Sequence, residues 1–177
     1  MESLQNIKTI KLFMIVMSIL LLLGWMGLVW NENAIREMDL DNIIFAEDSD
    51  GYLVCVDSLK RSEDGVTLTE NYIELSGWMI RSGESVRDVS IKIIFRNMDT
   101  NEYLIIPTTV VERRDVTQYF NDGCNYDNCG YSVKIRKSRK INVELYDYEV
   151  YALYTLNGNT KLVPFRTTLK TWGENNG

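Results

Sequence analysis

From Gly51 onward, apolar and polar residues alternate along the chain with a period of two. In Val89–Arg96, residues Val89, Ile91, Ile93 and Phe95 fall on one face, while Ser90, Lys92 and Arg96 fall on the other. That period turns one face to a core and the other to water, the pattern of a half-buried antiparallel strand. Ile94 is the exception, an apolar residue on the polar face. Gly130–Lys137 repeats the device with Tyr131, Val133 and Ile135 inward, and Ile141–Asp147 does so with Ile141, Val143 and Leu145. Further strands are predicted around Tyr52, Tyr72, Tyr103, Tyr148 and Lys161, about eight in all. Asn157-Gly158 predicts a hairpin, because both residue types tolerate positive φ. Pro107 and Pro164 fall inside predicted strands, where a missing N–H is tolerated at an edge or bulge, so both are placed at sheet edges. With no long amphipathic helix between the strands, the class is all-β, an antiparallel sandwich or barrel.

The N-terminal pattern is different. Leu12–Trp30 carries no charge over 19 residues, enough for a helix rising about 1.5 Å per residue to cross a bilayer core. Lys8 and Lys11 precede it and an acidic stretch follows, so the positive-inside bias puts residues 1–11 in the cytoplasm and everything after the span outside. Trp25 and Trp30 fall at the outer interface, where indole rings are favoured. A cleaved signal peptide is the competing reading. The run is longer than an ordinary signal core and no small-x-small site follows it, which favours an uncleaved, single-pass anchor. Residues 31–50 hold seven carboxylates against the single Arg36 and read as an acidic juxtamembrane stalk repelled by an anionic membrane surface. Residues 51–177 form the extracytoplasmic domain, of ordinary single-domain size.

Composition narrows the chemistry. The chain contains no histidine, which removes the commonest general base, the commonest zinc ligand and the Ser-His and Cys-His nucleophile pairs together. No phosphate-binding glycine loop or nucleophile elbow is present. A net charge of −6 excludes the basic face that nucleic acid requires. The reading is therefore noncatalytic, with no cofactor and no metal. Asp48–Gly51 resembles the start of a calcium loop, but the glutamate that completes such a loop is missing, so it reads as a solvated acidic turn.

The three cysteines are Cys55, Cys124 and Cys129. Without histidine they are one ligand short of a structural zinc site. In an oxidising compartment the expectation is a Cys124–Cys129 disulfide that staples the turn between them, with Cys55 a buried thiol in its strand; pairing of Cys55 with either partner is the alternative. The stapled turn would present Asn125, Tyr126, Asp127 and Asn128 as a ligand loop, with Tyr126 the exposed aromatic and a sugar platform. Trp78, after Gly77, reads as the core tryptophan. Arg114 and Asp115 read as a hydrogen-bonding corner between sheets.

Gly77-Trp78, Arg113-Arg114-Asp115-Val116, Gly130-Tyr131 and Tyr148-Glu149-Val150 occur in the order Gly-Trp strand, Arg-x-Asp-Val loop, Gly-aromatic strand, late Tyr-x-Val strand. Over about Tyr72 to Tyr154 the chain resembles immunoglobulin-like sandwich modules found beside bacterial surface-polysaccharide and cell-envelope proteins. It departs from them in having tyrosine where phenylalanine is usual and Cys129 before the glycine. The resemblance implies an Ig-like antiparallel β-sandwich of about seven to eight strands and a noncatalytic envelope role. Two functions follow as expectations: a domain binding glycan or cell-wall polymer, or an accessory or adaptor subunit beside a membrane protein partner.

Overall fold

The computed structural model describes residues 11, 13–26, 34–41, 43–63, 71–136 and 148–168. The chain divides into two compact units, Met1–Ala34 and Ile35–Gly177. In the first, residues 13–26 are helical with exposed side chains. Leu12 and residues 27–30 of the uncharged run lie outside the described residues, and no helix among the described residues is long and apolar enough to cross a membrane.

The second unit is all-β. Its strands are β1 (Arg36–Glu37), β2 (Tyr52–Glu63), β3 (Asn71–Arg81), β4 (Val89–Asn97), β5 (Tyr103–Ile106), β6 (Thr108–Val111), β7 (Gly130–Arg136), β8 (Tyr148–Leu156) and β9 (Asn159–Thr168), with one short helix, α1 (Arg114–Phe120), between β6 and β7. They form a five-stranded sheet in the order β1-β5-β4-β8-β9 and a four-stranded sheet in the order β2-β3-β7-β6. Every ladder is antiparallel. The predicted strand at residues 141–147 lies outside the described residues.

The inward residues of both sheets share one core. Ile73, Leu75 and Met79 of β3 and Tyr131, Val133 and Ile135 of β7 meet Ile91, Ile93 and Phe95 of β4 and Val150, Ala152 and Tyr154 of β8. β8 alternates buried and half-buried residues along its whole length. The Asn157-Gly158 turn is as predicted, with φ of 50° and 84°, closing β8 onto β9. Pro107 stands where the chain leaves β5 in one sheet and enters β6 in the other; a residue between two ladders loses nothing by lacking an N–H. Pro164 lies opposite Tyr151 on β9, the last strand of its sheet, beside a bulge.

The acidic stalk is the main departure from the sequence reading. From Ile35 onward the segment belongs to the β unit and straps the outer face of the five-stranded sheet. At one end β1 pairs with the free edge of β5, and the Met38 N–H donates to the Tyr103 carbonyl at 2.8 Å. Next, Met38, Leu40 and Ile43 cover Ile94, Tyr103 and Leu162. At the other end Phe45 bridges Leu162 in parallel, the Leu162 N–H donates to the Ile44 carbonyl at 2.8 Å, and the Ala46 N–H donates to the Leu162 carbonyl at 2.9 Å. Asp48 then pairs with Arg166 and Asp50 with Lys161. Apolar residues spaced between the carboxylates outweigh the charge, because the charges point to water while the side chains between them bury area against the sheet. The strap also explains Ile94, which interrupts the period-two pattern and is completely buried beneath it.

Candidate functional site

The cysteine-bearing turn closes one end of the sandwich. α1 begins where the chain leaves β6, and Val116 buries into the core while Arg114, Asp115, Gln118 and Tyr119 face out. The helix ends at Asn121, whose φ of 46° turns the chain back. Tyr126, expected to be exposed, is 0% exposed. Its ring packs edge-on against Phe120 with centroids 5.7 Å apart. Its hydroxyl donates to Asp122 at 2.6 Å and accepts from the Gly83 N–H at 3.0 Å. Backbone bonds complete the closure: Tyr126 N–H to Thr117 Oγ1 at 2.8 Å, Asn125 N–H to Ser85 Oγ at 3.0 Å, and Val86 N–H to the Asn125 carbonyl at 2.7 Å. The loop is thus a plug with Tyr126 as its anchor. Asn125 and Asn128 are exposed; Asp127 is half-buried and accepts from the Thr117 hydroxyl at 2.6 Å.

The cysteines carry no disulfide: Cys55, Cys124 and Cys129 are all free. Cys129 is part of the core, and burial pushes its thiol up to about 12. Cys124 is half-buried, and its N–H donates to Asp122 at 3.0 Å. The two cysteines therefore serve different environments, and hydrogen bonds through Thr117, Ser85 and Asp122 do the work assigned to the staple. Cys55 is half-buried rather than a core thiol; it lies 3.7 Å from Asp57, and burial with that carboxylate raises its pKa. Trp78 is also half-buried, its ring covered by Phe120 with centroids 5.7 Å apart.

The charged corner exists one residue from its expected place. Arg113, not Arg114, holds Asp115 through two bonds of 2.9 and 2.7 Å and pairs with Asp57, the bulged residue of β2. Asp115 and then Asp57 raise the guanidinium's pKa further, and Arg113 holds the Asp115 carboxyl below the usual range. Arg114 points to solvent and pairs with Glu112 at 2.6 Å. Two glycines create the passage. A Cβ on Gly130 would sit 2.7 Å from Arg113 Cγ and 2.6 Å from the Val111 carbonyl oxygen. One on Gly77 would sit 2.0 Å from the Cys55 carbonyl oxygen and 2.5 Å from the Tyr131 hydroxyl, which donates to that same carbonyl at 2.9 Å. The Gly-Trp and Gly-Tyr pairs visible in the sequence thus make room for side chains crossing between strands.

A groove of about 340 Å3 lies between the edge strands β2 and β9. Tyr52, Val54 and Pro164 are its half-buried apolar groups, with the buried Phe165 beneath them, and Glu47, Asp48 and Arg166 are its charged groups. Arg166 holds a φ of 55° in the irregular stretch of β9 opposite β8, an uncommon conformation for a residue other than glycine or asparagine. The groove combines one half-buried aromatic ring, Tyr52, with carboxylate acceptors and a guanidinium donor, groups that contact the C–H faces and hydroxyls of a polyhydroxylated ligand. Sequence reasoning missed it because its walls come from strands more than 100 positions apart; the alternation at Tyr52 and Phe165 marks strands but not their neighbours. Among the described residues, no cluster of carboxylates and cysteines is arranged to hold a metal.

No family model, curated protein or solved structure matches this chain.

Proposed function

We propose that the chain is a noncatalytic, membrane-anchored binding domain held outside the cytoplasm, and that its ligand is a glycan or another polyhydroxylated cell-envelope component. The single observation that carries the reading is the groove between β2 and β9, where the half-buried Tyr52 ring meets Glu47, Asp48 and Arg166. Its volume suits a short saccharide rather than a macromolecule. The site moves from the Tyr126 loop to this groove, since a buried ring cannot stack on a sugar. The anchor rests on the uncharged Leu12–Trp30 run behind Lys8 and Lys11, and an Ig-like topology on the motif order described above.

The test is a glycan panel with the full chain in nanodiscs, comparing native protein with Arg166→Gly. Glycine fits a φ of 55° without strain, so the variant removes the guanidinium and its solvent-exposed pair with Asp48, a pair that contributes little to stability, while relieving the backbone. At least a tenfold loss of affinity with an unchanged melting temperature is expected. Absence of binding across the panel, or equal binding by the variant, overturns the assignment.

A second reading, an accessory subunit of a membrane complex, is favoured by a different observation: β6 is an edge strand with Val110 and Val111 exposed.

A further inference from the structure

Sheet edges offer unpaired N–H and C=O groups to any extended chain, and natural proteins cover, charge or distort them. In the five-stranded sheet one strap covers both: β1 pairs with β5, and residues 44–46 pair with β9. β6 is treated differently. Among the described residues it pairs with β7 on one side only. Its sequence, Thr108-Thr109-Val110-Val111, has neither charge nor proline, and Val110 and Val111 are 39% and 38% exposed. Val110 shares the Tyr131 side of the sheet and Val111 the Gly130 side. A strand added here would cover one valine on each face.

The charge around the edge decides what kind of strand. Asp57, Glu112, Asp115 and Asp127 are gathered about Arg113 and Arg114. Four carboxylates against two guanidiniums leave this cluster at −2, with Asp57 reaching it from β2 across the sheet, on a chain whose net charge is −6. A second copy would bring like charge to like charge. A basic segment would be drawn in.

We infer that the open β6 edge is a docking site for an extended segment of a partner protein, β-branched along its strand and flanked by lysine or arginine. Backbone hydrogen bonds to β6 supply affinity, the two valines select apolar side chains, and the acidic surround selects the flank. This rests on the accessory-subunit reading and names the partner's chemistry. The interacting strand is short, about four residues at about 3.3 Å each, so the contact is weak unless a shared membrane raises the effective concentration.

The test presents the full chain in nanodiscs with two synthetic heptapeptides: two lysines followed by alternating valine and threonine, and a twin with glutamates replacing the lysines. Binding is read by fluorescence anisotropy and by hydrogen exchange at residues 108–112. The basic peptide is expected to bind about tenfold more tightly at low salt, to lose most of that advantage at 0.5 M salt, and to slow exchange in β6. Val111→Lys abolishes the binding; Glu112→Lys removes the preference between peptides. Equal binding of the twins, with β6 protected by both, overturns the basic partner while leaving the edge reading intact. No protection of β6 by either peptide overturns both. Protection of β6 that appears with rising protein concentration and no peptide assigns the edge to a second copy and overturns the inference.

Discussion

Gly77 shows how one atom is excluded by a neighbour's reach. Adding a methyl would displace the Tyr131 hydroxyl from the Cys55 carbonyl or push β2 outward. Gly77→Ala is expected to destabilise the domain by about 3 kcal/mol, the upper part of the range for overpacking a close contact, as read from urea unfolding. Tyr126→Phe keeps the ring against Phe120 but strands the Gly83 N–H and releases Asp122; a loss of about 1 to 2 kcal/mol is expected. The same variant changes the acid limb. Tyr126 holds the Asp122 carboxyl below its ordinary pKa, so this group contributes stability above the unfolded value of about 3.9 and loses it as pH falls through the folded value. Native protein should therefore lose stability on acidification below about pH 4, and Tyr126→Phe should show a shallower loss. At the thiols, Cys124 and Cys55 should react with a maleimide at pH 8 well before Cys129, whose thiol is buried and titrates near 12. Thiol reductant should leave the melting temperature unchanged. Mass spectrometry and a thermal scan with and without reductant check both.

At the scale of elements, the strap does two jobs that a stalk could not. It buries the outer faces of β4, β5 and β9, and it covers both free edges of their sheet. Replacing Met38 and Ile43 together by serine removes apolar contacts on Ile94, Tyr103 and Leu162 while leaving the main core intact. Amide exchange at Met38, Ala46 and Leu162 should accelerate, with β4 and β8 still protected. Loss of protection throughout the domain would mean that strap and core unfold as one. This element was illegible in the sequence because a segment with seven carboxylates in twenty residues looks solvated on average. Its burial depends on which residues touch the sheet. The irregular spacing of Met38, Leu40 and Ile43 matches neither a helix nor a strand, since the segment crosses the sheet rather than joining its interior.

For the whole molecule, Ile35 marks the start of the compact β unit. A fragment beginning there should fold with native near-UV circular dichroism, while one beginning at Gly51 should aggregate, having bared the outer face and both edges of a sheet. Sedimentation of the two fragments separates these outcomes. Among the described residues, β2 and β6 are the two edges of the other sheet.

The sequence by itself determined the local structure: the period-two strands from Val89, Gly130 and Tyr148, the Asn157-Gly158 turn, and the all-β class. These follow from the pleat and from positive φ, both properties of neighbouring residues. It also marked a charged corner at Arg113–Val116 but assigned it to Arg114, where Arg113 is the residue that holds Asp115. Only the tertiary structure decided that Tyr126 is an anchor and not a platform, that the acidic segment is a strap, and that Tyr52 and Phe165 share a groove. Each of those depends on which distant strands become neighbours. Burial is a property of a residue's surroundings, and alternation along the chain reports which way a side chain points, not what it meets.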